Sequence, residues 1–131
     1  PGIFAAGDIA RFPYPGETAG EIRSEHWINS QMQGVHAARA MLGSTVPFNE
    51  VPLFWSKQYG YSFKFAGYAE AYDQTVIHGS LAKDSWLAGY YRKGSLIAVS
   101  GFGKGKAIYK LRSLIGRGEN VRSEDFKVGK F

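Results

Sequence analysis

The chain opens with a short apolar run that predicts a buried strand. Residues 3–6 are all apolar, and Gly7 and Asp8 follow directly. A continuous run of this length is typical of a strand that is buried on both faces, as in a parallel sheet. A strand ending in Gly-Asp would place its carboxylate at the carboxyl edge of the sheet, where ligands bind in open α/β folds. No partner strand precedes it here, so we expect one end of a site whose other end is missing.

A long helix is predicted after an irregular loop. Prolines and a glycine mark residues 11–16 as the loop. Ser24 is the predicted N-cap, with Glu25 in the first turn, and Gly43 ends the helix. Residues 18–21 also fit a capping box, so an earlier start remains open. Two apolar rows at helical spacing predict burial on a wide face. The rows are Ile28, Met32, Val35, Ala38 and Leu42, and beside them Trp27, Gly34, Ala37 and Met41.

The apolar pattern changes from helical to alternating after residue 52. Two prolines and polar residues between positions 43 and 52 indicate a connector and a domain boundary. Alternation then predicts four strands, with Arg92, Lys93 and Gly94 as the turn of a hairpin. The strands are residues 61–66, 75–79, 86–91 and 95–100. Apolar residues at 107–115 predict a further helix that ends at Gly116 and Gly118, and the tail to Phe131 reads as short and polar. The fold class is therefore α+β, an antiparallel β-sheet with flanking helices.

Composition excludes several classes of protein. The 131 residues are 44% hydrophobic, which is enough for a core and excludes a disordered chain. The absence of cysteine excludes disulfides, thiolate nucleophiles and cysteine-ligated metal clusters. No apolar run approaches the ~20 residues that span a bilayer, and no signal peptide is visible. We therefore expect a soluble protein with no membrane span, cytoplasmic or mitochondrial rather than secreted.

Positive charge is concentrated in the last third of the chain. Residues 92–130 include ten basic residues and three acidic ones. The basic residues are Arg92, Lys93, Lys104, Lys106, Lys110, Arg112, Arg117, Arg122, Lys127 and Lys130, and the acidic residues are Glu119, Glu124 and Asp125. This excess could attract nucleic acid, an acidic protein or a phosphorylated cofactor, and it could also be a solvated face without a partner.

The remaining motifs do not define a site on their own. The glycines of residues 101–106 have neither dinucleotide-fingerprint nor P-loop spacing, and we interpret that run as a flexible connector. His26 and His36 are ten residues apart on one helix, which is not the spacing of a chelating pair, and no acidic pair completes a metal site. No Gly-x-Ser-x-Gly elbow is present.

Three blocks taken together resemble the C-terminal part of a flavin-dependent pyridine-nucleotide reductase. Residues 3–8, Ile-Phe-Ala-Ala-Gly-Asp, resemble the second FAD motif of the glutathione-reductase superfamily. Residues 23–34 are similar to the helix that follows it in that family. Residues 52–59, Pro-Leu-Phe-Trp-Ser-Lys-Gln-Tyr, resemble the block that opens the reductase C-terminal domain. The nearest groups are the ferredoxin reductases of oxygenase systems and the apoptosis-inducing factor-like proteins.

The resemblance implies a division of the chain and a cofactor site. Residues 1–45 would be the end of an FAD-binding domain, and residues 46–131 a reductase C-terminal domain. Asp8 would accept a hydrogen bond from the ribityl chain of FAD. The other residues carried over as cofactor-binding are Gly7, Glu25, His26, Trp27 and Trp55. None is assigned as catalytic.

The resemblance also implies cofactors and partners. The parent would take hydride from NAD(P)H onto FAD and pass electrons to a ferredoxin-like or Rieske-type acceptor. The family's Gly-x-Gly-x-x-Gly and NAD domain are absent from these 131 residues. We therefore expect neither catalysis nor tight FAD binding from this chain alone. Self-association as a homodimer is expected, and the alternative function is a basic module that binds nucleic acid or an acidic protein.

Overall fold

The computed structural model describes residues 2–14 and 20–131. Its strands are β1 (Arg11–Pro13), β2 (Glu21–Arg23), β3 (Leu53–Gln58), β4 (Tyr61–Gly67), β5 (Gln74–Ser80), β6 (Ser85–Arg92) and β7 (Ser95–Phe102). Its helices are α1 (Trp27–Met41), α2 (Gly105–Gly116) and α3 (Ser123–Val128). None of the helices in the described ranges has the length and apolar character that a bilayer-spanning segment requires.

Strands β3 to β7 form one antiparallel sheet in the order β3-β4-β7-β6-β5. The α+β fold with an antiparallel sheet and flanking helices is therefore confirmed. All four predicted strands are present, as β4, β5, β6 and β7. The turn between β6 and β7 has positive φ at Lys93 (50°) and Gly94 (78°), which is the backbone of a type I′ hairpin turn.

The first face of the sheet carries the hydrophobic core under α2 and α3. Leu87, Val99 and Ala66 lie on this face and are at most 1% exposed, as are Ile108 and Leu111 of α2. At the β5 edge, Phe126 of α3 is fully buried. The predicted helix at residues 107–115 is thus confirmed as α2, and its apolar face is what holds it on the sheet.

The second face of the sheet is aromatic. Strand register places side chains from all five strands on it, among them Phe63, Phe65, Trp86, Tyr90 and Phe102. These five rings are all half-buried. In the described part of the chain, the helices that contact the sheet are α2 and α3 on the first face and α1 at the β3 edge.

The predicted amino-terminal strand is wrong. Residues 2–6 form no strand, and Ile3 is 93% exposed. A both-faces-buried strand needs neighbours to pair with, and among the described residues none lies beside it. The predicted loop at residues 11–16 is also wrong in part, because Phe12 pairs with Ile22 in a β1–β2 hairpin and both are buried.

Helix α1 begins later and is less buried than predicted. Residues 21–23 are paired in β2, so the chain stays extended until His26, the observed N-cap (φ −134°, ψ 131°). Ser24 is therefore not the cap, and Glu25 is not in the first turn. The alternative capping box begins at positions 18 and 19, which lie outside the described residues. Val35 and Leu42 are 49% and 89% exposed, so the expected wide buried face is wrong.

The sequence reading missed β3 and α3. Strand β3 lies within the aromatic block of residues 52–59, and its alternate residues face opposite sides of the sheet. Helix α3 lies in the tail for which the sequence pattern predicts only a short polar segment. The glycine run at residues 101–106 is not a free connector either. Gly101 is buried in β7, where a Cβ would clash with Leu87 and with the β6 backbone at Trp86, and α2 begins at Gly105.

Candidate functional site

The Gly7–Asp8 turn is fastened to helix α1 by two side chains. The Gly7 amide donates a hydrogen bond of 2.7 Å to Oε1 of Gln33, and Ser30 Oγ lies 3.2 Å from Oδ1 of Asp8 as a donor. Gly7 has a φ of 82°, a value that residues with a side chain rarely adopt. A Cβ built on Gly7 would lie 3.6 Å from Oγ of Ser30. The turn therefore holds the Asp8 carboxylate, which is exposed, beside the first turns of α1.

His26 lies at the amino end of α1 and stacks on Phe54 of β3. The two ring centroids are 4.2 Å apart and the planes differ by 13°. Burial lowers the pKa of His26, and the nearby Asp8 charge opposes that shift without cancelling it. The imidazole is therefore neutral at pH 7, and its stacking joins the start of α1 to the edge of the sheet.

Trp27 and Trp55 form a second aromatic contact at the same corner. Their ring centroids are 6.4 Å apart with an interplanar angle of 88°, an edge-to-face arrangement. Their exposed fractions are 70% for Trp27 and 44% for Trp55. Large aromatic side chains with this exposure are the kind that mark a binding surface.

Five of the six candidate residues are thus brought together, and the sixth is not. Gly7, Asp8, His26, Trp27 and Trp55 lie around the amino end of α1 and the edge strand β3. We call them, with Ser30 and Phe54, the corner cluster. Glu25 is instead paired with Arg23 at 2.5 Å, and both side chains are more than half exposed. That exposed pair has little energetic weight.

Sequence reasoning missed the polar residues that position the cluster. Ser30 follows His26 by four residues and Gln33 follows Ser30 by three, so both share the side of the helix that His26 occupies. That spacing is the signal that could have identified them as partners of the Gly-Asp turn. Phe54 was contained in the aromatic block, but alternation places it on the opposite side of β3 from Trp55. Its role as the partner of His26 depends on that register.

The corner cluster has the donors and surfaces that a flavin requires. No side chain caps the amino end of α1, and its first turn contains no acidic residue, so its backbone N–H groups and positive dipole end are available. A flat, largely apolar ring with polar edges suits aromatic walls of this kind together with a few oriented donors. The exposed Asp8 carboxylate can accept a hydrogen bond from a sugar-like hydroxyl group. These residues therefore fit FAD.

The basic carboxyl-terminal third is partly neutralised within the chain. Arg112, Arg117 and Arg122 form ion pairs with Glu50, Glu119 and Asp125, at 2.5 to 2.9 Å. The Lys110 ammonium donates to the carbonyl of Phe131 at 2.6 Å. Fewer cations remain for an external polyanion than the sequence count suggests. Within the described ranges, no group of three metal-ligating side chains converges.

Sequence comparison and structure comparison agree on the family of proteins that this chain resembles. Residues 53–127 match a family model described as "Reductase C-terminal". The chain is 30% identical over 128 residues to apoptosis-inducing factor 3 of Mus musculus, covering 98% of this chain and 21% of that protein. It is also 30% identical to the 5,5'-dehydrodivanillate O-demethylase ferredoxin reductase subunit of Sphingobium sp., covering 92% of this chain and 29% of that protein.

Solved structures agree with this assignment. The ferredoxin reductase for the CYP199A2 system from Rhodopseudomonas palustris superposes with a TM-score of 0.82 at 28% identity, over 92% of this chain and 30% of that chain. The covalent putidaredoxin reductase–putidaredoxin complex gives a TM-score of 0.78 at 29% identity, over 91% of this chain and 28% of that one. The chain therefore spans between about a fifth and a third of the length of these proteins.

Proposed function

This chain belongs to the reductase C-terminal family, and from that premise we propose that it is the C-terminal part of an FAD-dependent NAD(P)H oxidoreductase. Residues 1–45 would complete the FAD-binding domain of this parent enzyme, and residues 46–131 would form its C-terminal domain. The observation that carries the proposal is the corner cluster. Its members come from three blocks that are distant in sequence, and the fold gathers them at one exposed corner of the sheet.

Each residue of the corner cluster has a distinct role in this proposal. Asp8 accepts a hydrogen bond from a hydroxyl of the ribityl chain, and Ser30 and Gln33 hold the turn that carries it. The amino end of α1 stabilises negative charge on the polar edge of the ring. Trp27 and Trp55 shield the ring from water. When FAD is bound, it supplies the hydride-accepting and electron-donating chemistry, and these residues bind and orient it.

His26 contributes a neutral surface rather than a charge. Its lowered pKa keeps the imidazole uncharged near the negatively charged Asp8, so Asp8 remains available for a hydroxyl donor. Its stacking on Phe54 fixes the start of α1 against β3. An electron acceptor of the ferredoxin-like or Rieske-type class would approach the exposed side of Trp27 and Trp55, since these rings form the outer wall of the corner cluster.

The test uses the complete oxidoreductase and compares two aspartate variants. Asp8→Asn removes the charge that accepts the ribityl hydrogen bond, and Asp84→Asn removes an exposed charge in the turn between β5 and β6. Hydrogen bonds to charged groups contribute about 1.5–3 kcal/mol, so the FAD dissociation constant should rise roughly 10- to 150-fold in Asp8→Asn. Asp84→Asn should retain FAD as the parent does. Equal FAD retention by both variants would contradict the proposal.

A second experiment uses the 131-residue chain itself. We infer that it binds FAD weakly and is inactive, because the family's Gly-x-Gly-x-x-Gly and NAD domain are not in it. FAD is titrated while its fluorescence is followed. Submicromolar binding would show that the adenosine and pyrophosphate contacts are dispensable, and the assignment as part of a larger flavoprotein would then fail.

Self-association is the remaining proposed property of the chain. Ile3, Ile9 and Leu42 are 93%, 79% and 89% exposed, and they belong to the portion assigned to the FAD-binding domain. Exposed aliphatic residues in such number favour pairing of two copies when no other surface covers them. We propose that the isolated chain forms a homodimer through residues 1–45.

A further inference from the structure

Two buried amide side chains lie one turn apart on the inner side of α1. Asn29 is 1% exposed and Gln33 is 5% exposed. Residues four apart on a helix have their Cβ atoms about 5–6 Å from each other, so the two side chains are neighbours. We call Asn29 and Gln33 the amide pair. It extends from the first turn of α1, where Asn29 lies, to the turn that carries Asp8, where the Gly7 amide donates to Oε1 of Gln33 at 2.7 Å.

Three polar atoms of the amide pair have no protein partner. Among residues 2–14 and 20–131, nothing forms a hydrogen bond with Nδ2 or Oδ1 of Asn29, or with Nε2 of Gln33. A buried polar group without a hydrogen bond is destabilising, and native proteins satisfy nearly all such groups. A leucine would fill the position of Asn29 without that penalty. A further hydrogen-bonding group is therefore needed at the amide pair.

The group that completes the amide pair must be small. Both side chains are already covered by this chain, so another protein segment or a cofactor could reach them only by displacing what covers them. The unpartnered atoms are two NH₂ groups, which donate, and one carbonyl oxygen, which accepts. A buried water typically makes about three hydrogen bonds to such a mixture of donors and acceptors. One water molecule between the two neighbouring amides therefore fits the observed set of atoms.

We propose that Asn29 and Gln33 form an internal water site, and that the bound water makes Asn29 a positioning residue for Asp8. The water accepts a hydrogen bond from Nε2 of Gln33, which holds the amide in the one orientation that turns its oxygen toward the Gly7 N–H. The Gly7 carbonyl accepts from the Ala10 amide at 3.0 Å, so both backbone groups of Gly7 are fixed. The effect on FAD rests on the proposed function, whereas the water site does not.

The first measurement detects the water in the unmodified 131-residue chain. Nuclear Overhauser effects are recorded between water and the side-chain amide protons of the isotope-labelled chain. A long-lived internal water gives cross-peaks of the same sign as those within the protein, and surface water does not. We expect such cross-peaks at Asn29 and Gln33 and none at Gln31, which is exposed on the same helix. Their absence at both buried amides would overturn the inference.

The second experiment removes the amide of Asn29 and follows the Gly7 amide. Asn29→Leu should speed hydrogen exchange at Gly7 by about 2- to 12-fold, which corresponds to the loss of one neutral hydrogen bond. The urea midpoint should stay the same or rise, because the variant also removes two buried polar atoms. Gln31→Leu, the same change on the exposed side of α1, should leave exchange at Gly7 unaltered. An unaltered Gly7 amide in Asn29→Leu would contradict the proposal.

The third experiment tests the positioning role in the complete oxidoreductase with two ligands. The dissociation constant of FAD should rise by the same about 2- to 12-fold in Asn29→Leu, because the water acts through the Asp8 turn on the ribityl chain. Lumiflavin has the flavin ring without that chain, so its binding should not change. Gln31→Leu should leave both constants as they are. Equal weakening of both ligands would show that Asn29 supports α1 as a whole, and this would refute a positioning role toward Asp8.

The outcomes separate this inference from the proposed function. FAD binding that depends on Asp8 but not on Asn29 refutes the positioning role and leaves the flavin assignment standing. FAD binding that depends on neither residue refutes the positioning role and the proposed function together. In that case the water cross-peaks of the 131-residue chain decide separately whether the amide pair holds a water.

Discussion

Phe126 and Gly89 offer a stringent test of how α3 is held on the sheet. Phe126 is fully buried, with its ring centroid 6.1 Å from that of Tyr91 and edge-to-face to it. Gly89 lies beneath it, and a Cβ built on Gly89 would lie 2.9 Å from Cζ of Phe126 and 3.1 Å from Cδ1 of Leu96. The two residues occupy complementary space, so substitutions at both should be strongly coupled.

The magnitudes follow from packing. Phe126→Ala should destabilise the protein by about 3–5 kcal/mol through lost burial and the cavity left behind. Gly89→Ala should cost about 1–3 kcal/mol, because the new methyl group cannot fit under a ring that has no room to move. In the double variant that methyl group enters the space that the ring has left. The double variant should therefore be no less stable than Phe126→Ala alone, with a coupling energy of about 1–3 kcal/mol.

The assay is urea unfolding of the 131-residue chain and its three variants, with ΔG from linear extrapolation. Gly34→Ala in α1 is the control, because a Cβ at that position meets nothing within 4 Å. Alanine has the higher helix propensity, so Gly34→Ala should be stabilising by up to about 1 kcal/mol. Additive effects of Gly89→Ala and Phe126→Ala would refute the packing of α3 on β6.

Three further predictions concern the corner cluster, the connector and self-association. Because burial lowers the folded-state pKa of His26, the unfolded chain binds the extra proton more readily, so stability should fall as pH drops below about 6.5. His26→Gln should show a weaker loss over that window in urea unfolding, and an identical pH profile would contradict the assignment. Arg112→Ala removes hydrogen bonds to the Val51 carbonyl (2.7 Å) and Glu50 (2.9 Å), and should cost about 1–3 kcal/mol; Arg117→Ala, which loses an exposed pair, should cost under about 1 kcal/mol in the same assay. Leu42→Asp should shift the chain from dimer to monomer in light scattering, and a chain that is already monomeric would refute the proposed pairing.

The sheet could be predicted from the sequence because its signals are local. The alternation of apolar and polar residues at positions 61–66 predicts β4 by itself. The turn residues Lys93 and Gly94 likewise predict the hairpin of β6 and β7. Helix α3 could not be predicted this way, because Phe126 is the single buried residue in a six-residue helix. Its position depends on Gly89, which is 37 residues earlier. At residues 3–6 the sequence predicted an element that is absent. Their apolar pattern is typical of a strand, but such a pattern forms a strand only where another strand can pair with it.

The candidate site was predictable in part for a similar reason. Asp8, His26 and Trp55 were identified from motifs, and the structure gathers them at one corner. Glu25 was carried over with them from the family resemblance, and the predicted helix start at Ser24 placed it in the first turn of that helix. The pairing of β2 keeps the chain extended to His26, and this places Glu25 next to Arg23 instead. Only the long-range pairing of residues 11–13 with 21–23 could have corrected that expectation.

The hydrophobic core extends across the proposed domain boundary between residues 45 and 46. Phe12, Tyr14 and Ile22 belong to the same buried cluster as Leu53 and residues of α2. The Tyr14 hydroxyl also donates a hydrogen bond of 2.9 Å to the carbonyl of Ile97. A protease cut within residues 43–47 would therefore yield two peptides that remain bound through a shared interior. The connector acts as a tether that raises their effective concentration, and separately expressed halves should reassemble by fragment complementation.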